Sequence, residues 1–312
     1  MTKPELINAS RSRRGFSRVG NAFKCLRRFA ITQEEARNPV QKKEETADAL
    51  IRGSLFHIGM AHHYAHTSIT NQGKALANGM EYTSHDQLLS AKEAVAELAY
   101  QSGPEWEERV QSILSALDSY KEQYGLDRQW EIIGIEHEYT MRLPKSAALR
   151  GPKGEVIQNN FPELTDEQRV YTQRADFVYR EKATGKVIIG DHKTAYAMLS
   201  KTARQYILHG QFLGYVAIGR FVYKDEFAGV LLNRVKLSPY AADRMMVEPA
   251  PNAAANYVTN LVLMEQQIAL YESMGLPPDQ WPASYHEEVC MSKYGQCPAM
   301  ARCQWGPQPT GE

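Results

Sequence analysis

The sequence predicts an α/β protein, a central mixed β-sheet flanked by helices in a single domain spanning residues 1–312. Helical periodicity dominates the N-terminal and C-terminal parts of the chain, and strand-like runs rich in Ile, Val, Tyr and Phe lie between them. A chain of 312 residues is long enough to bury a large core. Its 36 basic and 36 acidic residues cancel, so any attraction for an anionic partner must come from local clusters.

Periodicity divides the chain into four parts. In chain order they are an N-terminal helical part (17–66), a helical insertion (84–124), a core (130–237), and a C-terminal helix with a cysteine cluster (253–303). A helical period covers 34–64, and Gly103-Pro104 breaks the insertion in two. The core has expected strands at 130–141, 170–179, 186–191 and 229–237, a loop at 151–165, and a helix at about 202–221. The C-terminal helix is expected at about 253–274.

A basic segment lies near the N-terminus, since no acidic residue occurs between Leu6 and Gln33. Its cationic residues are Arg11, Arg13, Arg14, Arg18, Lys24, Arg27 and Arg28. A solvated basic terminus would account for this composition, and contact with phosphate groups is the alternative. No signal peptide is visible, and no apolar run approaches the roughly 20 residues that a membrane span needs. A cytoplasmic protein with no membrane partner is therefore expected.

Carboxylates and a lysine follow two neighbouring strands of the core. Asp176 lies on one apolar run, and Asp191-His192-Lys193 ends the next, with a glycine and charged residues between them that predict a hairpin turn. Because side chains alternate along a strand, Asp191 and Lys193 face one side and His192 the other. Carboxylates suit Mg²⁺ or Mn²⁺, and an ammonium can stabilise charge on a phosphate. This pattern suits phosphodiester hydrolysis, although alone it also fits an ordinary surface ion pair.

Five sequence features occur in an order that is typical of one nuclease family. They are the Ser17–Phe29 element around Cys25, Gly53-Ser-Leu-Phe-His57, Asp176, Asp191-His192-Lys193, and Gln211-Phe-Leu-Gly-Tyr215. Together they resemble the PD-(D/E)XK nuclease superfamily. The likeness is greatest to the branch that holds the RecB nuclease domain, AddB-type helicase-nucleases and CRISPR-associated iron–sulfur exonucleases. The resemblance spans Ser17 to Cys303 and fits a stand-alone, phage-type member.

This resemblance implies a restriction-endonuclease-like fold and a metal-dependent nuclease. The implied reaction is hydrolysis of single-stranded or frayed DNA ends by an exonuclease, in recombination, repair or phage DNA processing. The implied ligands of Mg²⁺ or Mn²⁺ are His57, Asp176, Asp191 and the backbone carbonyl of His192. The other implied catalytic residues are Lys193, which would position the attacking water, and Gln211 and Tyr215. The implied DNA contacts are Arg13, Arg14, Arg18, Arg27 and Arg28.

Several alternatives to these assignments stay open. Family members often place a glutamate on the strand before Asp176, and either Glu136 or Glu138 could take that position. His57 lies close in sequence to His62, His63 and His66, and His62 and His66 could themselves form a metal-binding pair, one helical turn apart. A DNA-binding or assembly protein that keeps the nuclease fold without hydrolysing DNA is the alternative function.

The chain has four cysteines, Cys25, Cys290, Cys297 and Cys303. In a cytosolic protein such clustering favours a metal site over disulfides. The resemblance implies a [4Fe–4S] cluster that joins the N-terminal and C-terminal regions. The spacing here is C-x6-C-x5-C, whereas the family form is C-x2-C-x5-C, so the first interval departs at Cys290. Zinc and free thiols remain the alternatives.

Overall fold

The computed structural model describes residues 4–7, 14–37, 48–103, 106, 110–150, 152–153, 155–157, 160–194, 206–248, 251–292 and 295–306. The chain forms two compact units. The first, which we call the sheet unit, comprises residues 1–12, 45–140 and 173–254. The second, which we call the cysteine unit, comprises residues 13–44, 141–172 and 255–312.

Helices occupy the N-terminal and C-terminal parts of the chain. They are α1 (Phe16–Lys24), α2 (Leu26–Arg37), α3 (Asp48–Gln72), α4 (Ala91–Ser102), α5 (Gln111–Tyr124), α6 (Gly210–Tyr223), α7 (Pro251–Ser273), α8 (Glu287–Cys290) and α9 (Met300–Trp305). The described residues of the predicted helical period over 34–64 are helical, since they belong to α2 and α3, and residues 38–47 lie outside the described part. The insertion divides near Gly103 as predicted, and Gly103 ends α4 with a φ of 123° that favours glycine.

Strands lie mainly in the middle of the chain. They are β1 (Ala75–Ala77), β2 (Met80–Tyr82), β3 (Trp130–Arg142), β4 (Leu149–Arg150), β5 (Val156–Ile157), β6 (Val170–Glu181), β7 (Val187–Thr194), β8 (Phe227–Leu237), β9 (Tyr240–Val247), β10 (Met291–Ser292) and β11 (Gly295–Gln296). Seven of them form one mixed sheet in the order β2-β1-β3-β6-β7-β8-β9. Strands β7 and β8 are parallel, whereas β6/β7 and β8/β9 are antiparallel. The predicted α/β class with a mixed sheet flanked by helices is confirmed.

Four strand predictions agree with the structure within a few residues, and three sheet strands were not predicted. Strands β1, β2 and β9 were missed because the first two have three residues each and β9 carries mixed polar residues. The expected loop at 151–165 contains β5, which pairs with β4. The helix expected at 202–221 is α6, which begins at Gly210, and residues 195–205 lie outside the described part.

Aromatic stacking organises the core of the sheet unit. Tyr64 of α3 stacks on Phe177 of β6 with ring centroids 4.5 Å apart. Phe177 pairs across the β6–β7 hairpin with Gly190, where an added Cβ would come within 2.2 Å of the Phe177 ring. Gly190 therefore makes room for this ring directly before Asp191. The close packing fixes the register of the hairpin that carries the acidic residues.

A second, smaller core lies within the cysteine unit. Its buried members are Ala22, Phe29, Ala30, Ile268 and Trp281. The Trp281 ring lies 6.4 Å from Phe29, and its indole N–H donates a hydrogen bond to the carbonyl oxygen of Leu276. Across the described ranges, we find no helix with the length and apolar character of a bilayer span.

Candidate active site

The centre of the site is the end of the β6–β7 hairpin. Asp176 and Asp191 lie one residue beyond the Phe177–Gly190 pair on their respective strands. The Asp191 side chain is 1% exposed, and that of Asp176 is 14% exposed. The backbone N–H of His192 donates a 2.6 Å hydrogen bond to Oδ2 of Asp176. The hairpin thus brings two carboxylates together at the edge of a buried region.

Lys193 faces the same side of the sheet as Asp191, as strand alternation predicts. Its Nζ lies 2.7 Å from Oδ2 of Asp191. Burial lowers the pKa of Lys193, but the charges of Asp191 and Asp176 outweigh this effect and raise it. The lysine is therefore a cation throughout the neutral pH range, aimed at the two carboxylates.

His57 is the histidine of α3 that reaches this site. Its Nδ1 lies 3.3 Å from Oδ2 of Asp176. Burial lowers the pKa of His57, but the charge of Asp176 and the hydrogen bond to it raise the pKa to about 9. In return, the pKa of Asp176, which burial raises, is held below its usual value chiefly by His57. The two groups form an ion pair at neutral pH.

The other histidines of α3 point elsewhere. Nε2 of His62 accepts a hydrogen bond from the N–H of Ile7, and Nδ1 donates to the carbonyl oxygen of Leu89. His63 packs against Tyr64 with ring centroids 5.3 Å apart. Because both ring nitrogens of His62 are engaged, the suggested His62–His66 metal pair is wrong.

The two candidate glutamates of β3 have different environments in the structure. Glu136 is 4% exposed and has a φ of 47°, a left-handed conformation that is uncommon for a residue other than glycine. The alternating burial of β3 is interrupted at this point, as expected of a bulge that redirects a side chain. Burial, and next the charge of Asp176, raise the pKa of Glu136 well above its usual value. Glu138 instead is 38% exposed and pairs with Arg174 at 3.4 Å.

Gln211 and Tyr215 lie one turn apart on α6 and contact the same oxygen. Nε2 of Gln211 donates to Oδ1 of Asp191 at 2.8 Å, and the Tyr215 hydroxyl donates to it at 3.0 Å. Tyr215 is fully buried. Burial raises the pKa of Asp191 even though Lys193 lowers it, and the neighbouring charge of Asp176 raises it further. The two α6 side chains therefore hold Asp191 in place.

The His192 ring lies on the opposite side of the strand, as predicted. It stacks on Phe177 with ring centroids 5.0 Å apart, and burial lowers its pKa to about 3. Its Nδ1 accepts a hydrogen bond from Nδ2 of Asn233 at 2.7 Å. It is the backbone N–H of His192 that donates a hydrogen bond to Asp176.

The donor set of this site suits a hard divalent cation. Carboxylates and one imidazole lie near one another, and burial, with a smaller effect of the Asp176 charge, raises the pKa values of Glu136 and Asp191. Among the residues that the structure describes, no three His, Cys, Asp or Glu side chains stand together in a metal-binding arrangement. Lys193 and His57 pair with the carboxylates instead.

Comparison with known proteins identifies the family. The family model of the PD-(D/E)XK nuclease superfamily matches residues 16–304. The chain belongs to this superfamily. A crystal structure of SSO0001 matches with a TM-score of 0.31 and 16% identity, over 69% of this chain and 76% of that chain, and this likeness is too low to support an argument. No curated protein matches the chain significantly.

Membership of the PD-(D/E)XK superfamily indicates a metal-dependent nuclease that acts on nucleic acid, usually with Mg²⁺ or Mn²⁺. Members of this superfamily take their name from an acidic residue followed by a D/E-x-K triplet. In this chain, Asp176 and Asp191-His192-Lys193 have that order and lie together in the β6–β7 hairpin.

All four cysteines of this superfamily member lie in the cysteine unit. They carry no disulfide, and each is half-buried. The residues between Cys290 and Cys297 contain the β10–β11 hairpin, in which Met291 pairs with Gln296, and the N–H of Cys297 donates to the carbonyl oxygen of Cys290 at 2.7 Å. Burial raises the pKa of Cys290, and the thiols of Cys297, Cys25 and Cys303 raise it further. Within the described ranges, which include all four cysteines, no three of these thiols stand together as a metal-binding group.

The predicted DNA-binding arginines divide into several groups. Arg14 and Arg18 both pair with Glu265, and Nε of Arg14 also donates to the carbonyl oxygen of Val170. Arg27 donates to the carbonyl oxygen of Trp281 at 2.8 Å and to Sγ of Cys303 at 3.5 Å. These three arginines stabilise the cysteine unit itself. Nε of Arg28 is buried without a hydrogen-bond partner among the described residues, and Arg13 lies outside them.

Proposed function

We propose that this protein is a divalent-metal-dependent deoxyribonuclease that acts as an exonuclease on single-stranded or frayed DNA ends. The observation that supports the activity most strongly is the close approach of Lys193 to Asp191 beside Asp176. The preference for ends rests on the sequence resemblance to the exonuclease branch. DNA recombination, repair or phage DNA processing is the corresponding role.

Asp176, Asp191, Glu136 and His57 are the side chains that would hold Mg²⁺ or Mn²⁺, and the backbone carbonyl of His192 would add a ligand. Such a cation polarises a phosphoryl oxygen and lowers the pKa of an attacking water. Lys193 orients that water and stabilises charge that develops on the phosphate. Gln211 and Tyr215 keep Asp191 in position through its Oδ1 atom.

We further propose that the four cysteines bind a [4Fe–4S] cluster. The hairpin between Cys290 and Cys297 supports this assignment, because it accommodates the long first interval and brings the N–H of Cys297 to the carbonyl oxygen of Cys290. Zinc is the alternative occupant. An anaerobically purified iron–sulfur protein is brown, whereas a zinc protein is colourless. Iron and zinc analysis of the same sample decides between the two.

The activity is tested with Lys193→Ala and a matched control, Lys186→Ala. Lys186 precedes the same strand but directs its Nζ to the carbonyl oxygen of Asp225, outside the site. With end-labelled single-stranded DNA and Mn²⁺, we expect Lys193→Ala to lose activity by about 100- to 1000-fold, the range for removal of one group that stabilises transition-state charge. DNA binding should be retained, and Lys186→Ala should resemble the wild type.

Unchanged cleavage by Lys193→Ala would show that the Asp191-His192-Lys193 triplet is not the active site. A wild-type protein that binds DNA but never cleaves it with Mg²⁺ or Mn²⁺ would support the non-catalytic alternative. Circular single-stranded DNA provides the test of end dependence, because an exonuclease leaves it intact.

A further inference from the structure

Three polar residues form a row across neighbouring strands on the side of the sheet that faces away from Lys193. His192 of β7 pairs in register with Asn233 of β8, and Asn233 pairs with Arg244 of β9. His192 is 1% exposed and Asn233 is fully buried. Asn233 directly follows the apolar run from Val230 to Leu232 in β8. A buried amide in such a place costs free energy unless hydrogen bonds compensate for it.

Hydrogen bonds join the members of this row to one another. Nδ2 of Asn233 donates to Nδ1 of His192 at 2.7 Å and to the hydroxyl of Tyr120 at 2.8 Å. Nη2 of Arg244 donates to the same hydroxyl at 2.7 Å. Arg244 is in turn held by Asp127 through two bonds of 2.7 and 2.8 Å. The amide of Asn233 is thus anchored to a buried ion pair by one tyrosine hydroxyl.

The other end of the row reaches the active site. The ring of His192 is fixed at Nδ1 by Asn233 and is stacked on Phe177 and Tyr64, with centroids 5.0 and 5.7 Å away. The backbone N–H of this same residue donates the 2.6 Å hydrogen bond to Oδ2 of Asp176. A ring held at its nitrogen and on its face leaves the His192 peptide little freedom to rotate.

We infer that Asn233 is a positioning residue for Asp176, acting through His192 with Tyr120 and Arg244 as its support. This inference rests on the proposed nuclease function, because it assigns Asn233 to the orientation of a carboxylate of that site. A leucine would fill a similar volume with no need for hydrogen-bond partners. Nδ2 of the asparagine makes two hydrogen bonds that a leucine could not make, and one of them fixes the His192 ring.

The test compares Asn233→Leu and Tyr120→Phe with the control Tyr82→Phe. Tyr82 is also buried, and its hydroxyl donates to Oε2 of Glu5, so the control loses one tyrosine hydrogen bond outside the row. We expect Asn233→Leu to weaken Mn²⁺ binding and to lower kcat by about 10- to 100-fold, as for other partners of metal ligands. KM for DNA should change less than about twofold, because Asn233 is fully buried and does not reach the substrate.

Tyr120→Phe should also weaken Mn²⁺ binding and lower kcat, by a smaller factor. Tyr82→Phe should change neither Mn²⁺ binding nor kcat. Folding of each variant is checked by its thermal unfolding. If Asn233→Leu does not fold, Tyr120→Phe decides, and wild-type Mn²⁺ affinity and kcat in that variant would overturn the inference. The same result in a folded Asn233→Leu protein would overturn it directly.

A second readout does not depend on activity. A backbone amide that donates a short hydrogen bond to a carboxylate has a proton resonance shifted downfield, so His192 should show this signal in the wild type. The resonance should move upfield in Asn233→Leu and stay in place in Tyr82→Phe. If the wild type proves inactive while the resonance responds in this way, the nuclease proposal fails and the positioning role stands. An unchanged resonance in Asn233→Leu overturns the positioning role even if the wild type cleaves DNA.

Discussion

The neutral, buried state of His62 makes the stability of the protein depend on pH. Its Nε2 accepts the N–H of Ile7 at 3.0 Å, so a proton on that nitrogen would break the bond. Burial lowers the pKa of His62 from 6.5 to about 4, although its hydrogen bond to the carbonyl oxygen of Leu89 raises it. The folded protein therefore resists a proton that the unfolded chain accepts.

The sign and size of the effect follow from these two pKa values. Above pH 6.5 the histidine is neutral in both states, and its full contribution to stability is present. As the pH falls from about 6.5 to about 4, only the unfolded chain gains the proton, so the free energy of unfolding decreases. At 1.36 kcal/mol per pKa unit the whole loss is about 3 kcal/mol, and about 2 kcal/mol of it has occurred by pH 5.

Urea unfolding at pH 7 and pH 5 measures this loss in the wild type and in His62→Gln. Glutamine can accept from Ile7 and donate to Leu89, but it does not titrate. The variant should lose about 2 kcal/mol less than the wild type between the two pH values. His286→Gln, at an exposed position, is the matched control and should behave as the wild type. An equal loss in His62→Gln and the wild type would refute the assignment of a neutral buried imidazole.

Three further predictions concern the active site and the cysteines. In an end-labelled DNA assay, Glu136→Gln should reduce the cleavage rate by at least about 100-fold. Glu138→Gln loses an ion pair with Arg174, and its cleavage rate should stay within about twofold of the wild-type rate. Mn²⁺ affinity should rise from pH 6 to pH 9, because the cation must displace the proton of His57, whose pKa is about 9. Calorimetry in two buffers should detect the released proton. A pH-independent affinity would exclude His57 as a ligand. Cys290→Ser should lose as much bound iron or zinc as Cys297→Ser, and full metal content in Cys290→Ser would exclude Cys290.

The sequence alone was sufficient for the part of the site that lies on one hairpin. Strand periodicity has a period of two, so the common orientation of Asp191 and Lys193 and the opposite orientation of His192 follow from local geometry. The one-turn separation of Gln211 and Tyr215 likewise predicts a shared contact, which is Oδ1 of Asp191. Local periodicity does not indicate the partner of each face, which long-range packing determines.

Strand alternation could not decide between Glu136 and Glu138. Regular alternation places both side chains on one face of β3, but the left-handed residue at Glu136 breaks the alternation. Glutamate has no intrinsic preference for the left-handed conformation, so the sequence does not predict a bulge at Glu136. Asn233 differs, because an amide that directly follows an apolar run in a strand suggests a buried polar contact, although the sequence does not show its partner on another strand.

The interval between Cys290 and Cys297 is longer than in the family form, and the structure explains why. Six residues separate Cys290 from Cys297, and on an extended chain they would carry the two thiols far apart. Strands β10 and β11 between the two cysteines pair in an antiparallel hairpin. The two ends of this hairpin are therefore close, and the N–H of Cys297 donates a hydrogen bond to the carbonyl oxygen of Cys290. A hairpin inserted between two cysteines keeps their backbones close together while it lengthens the interval between them in the sequence. The backbones of Cys290 and Cys297 therefore lie close together despite the long interval, which is compatible with the metal site that we propose for the cysteines.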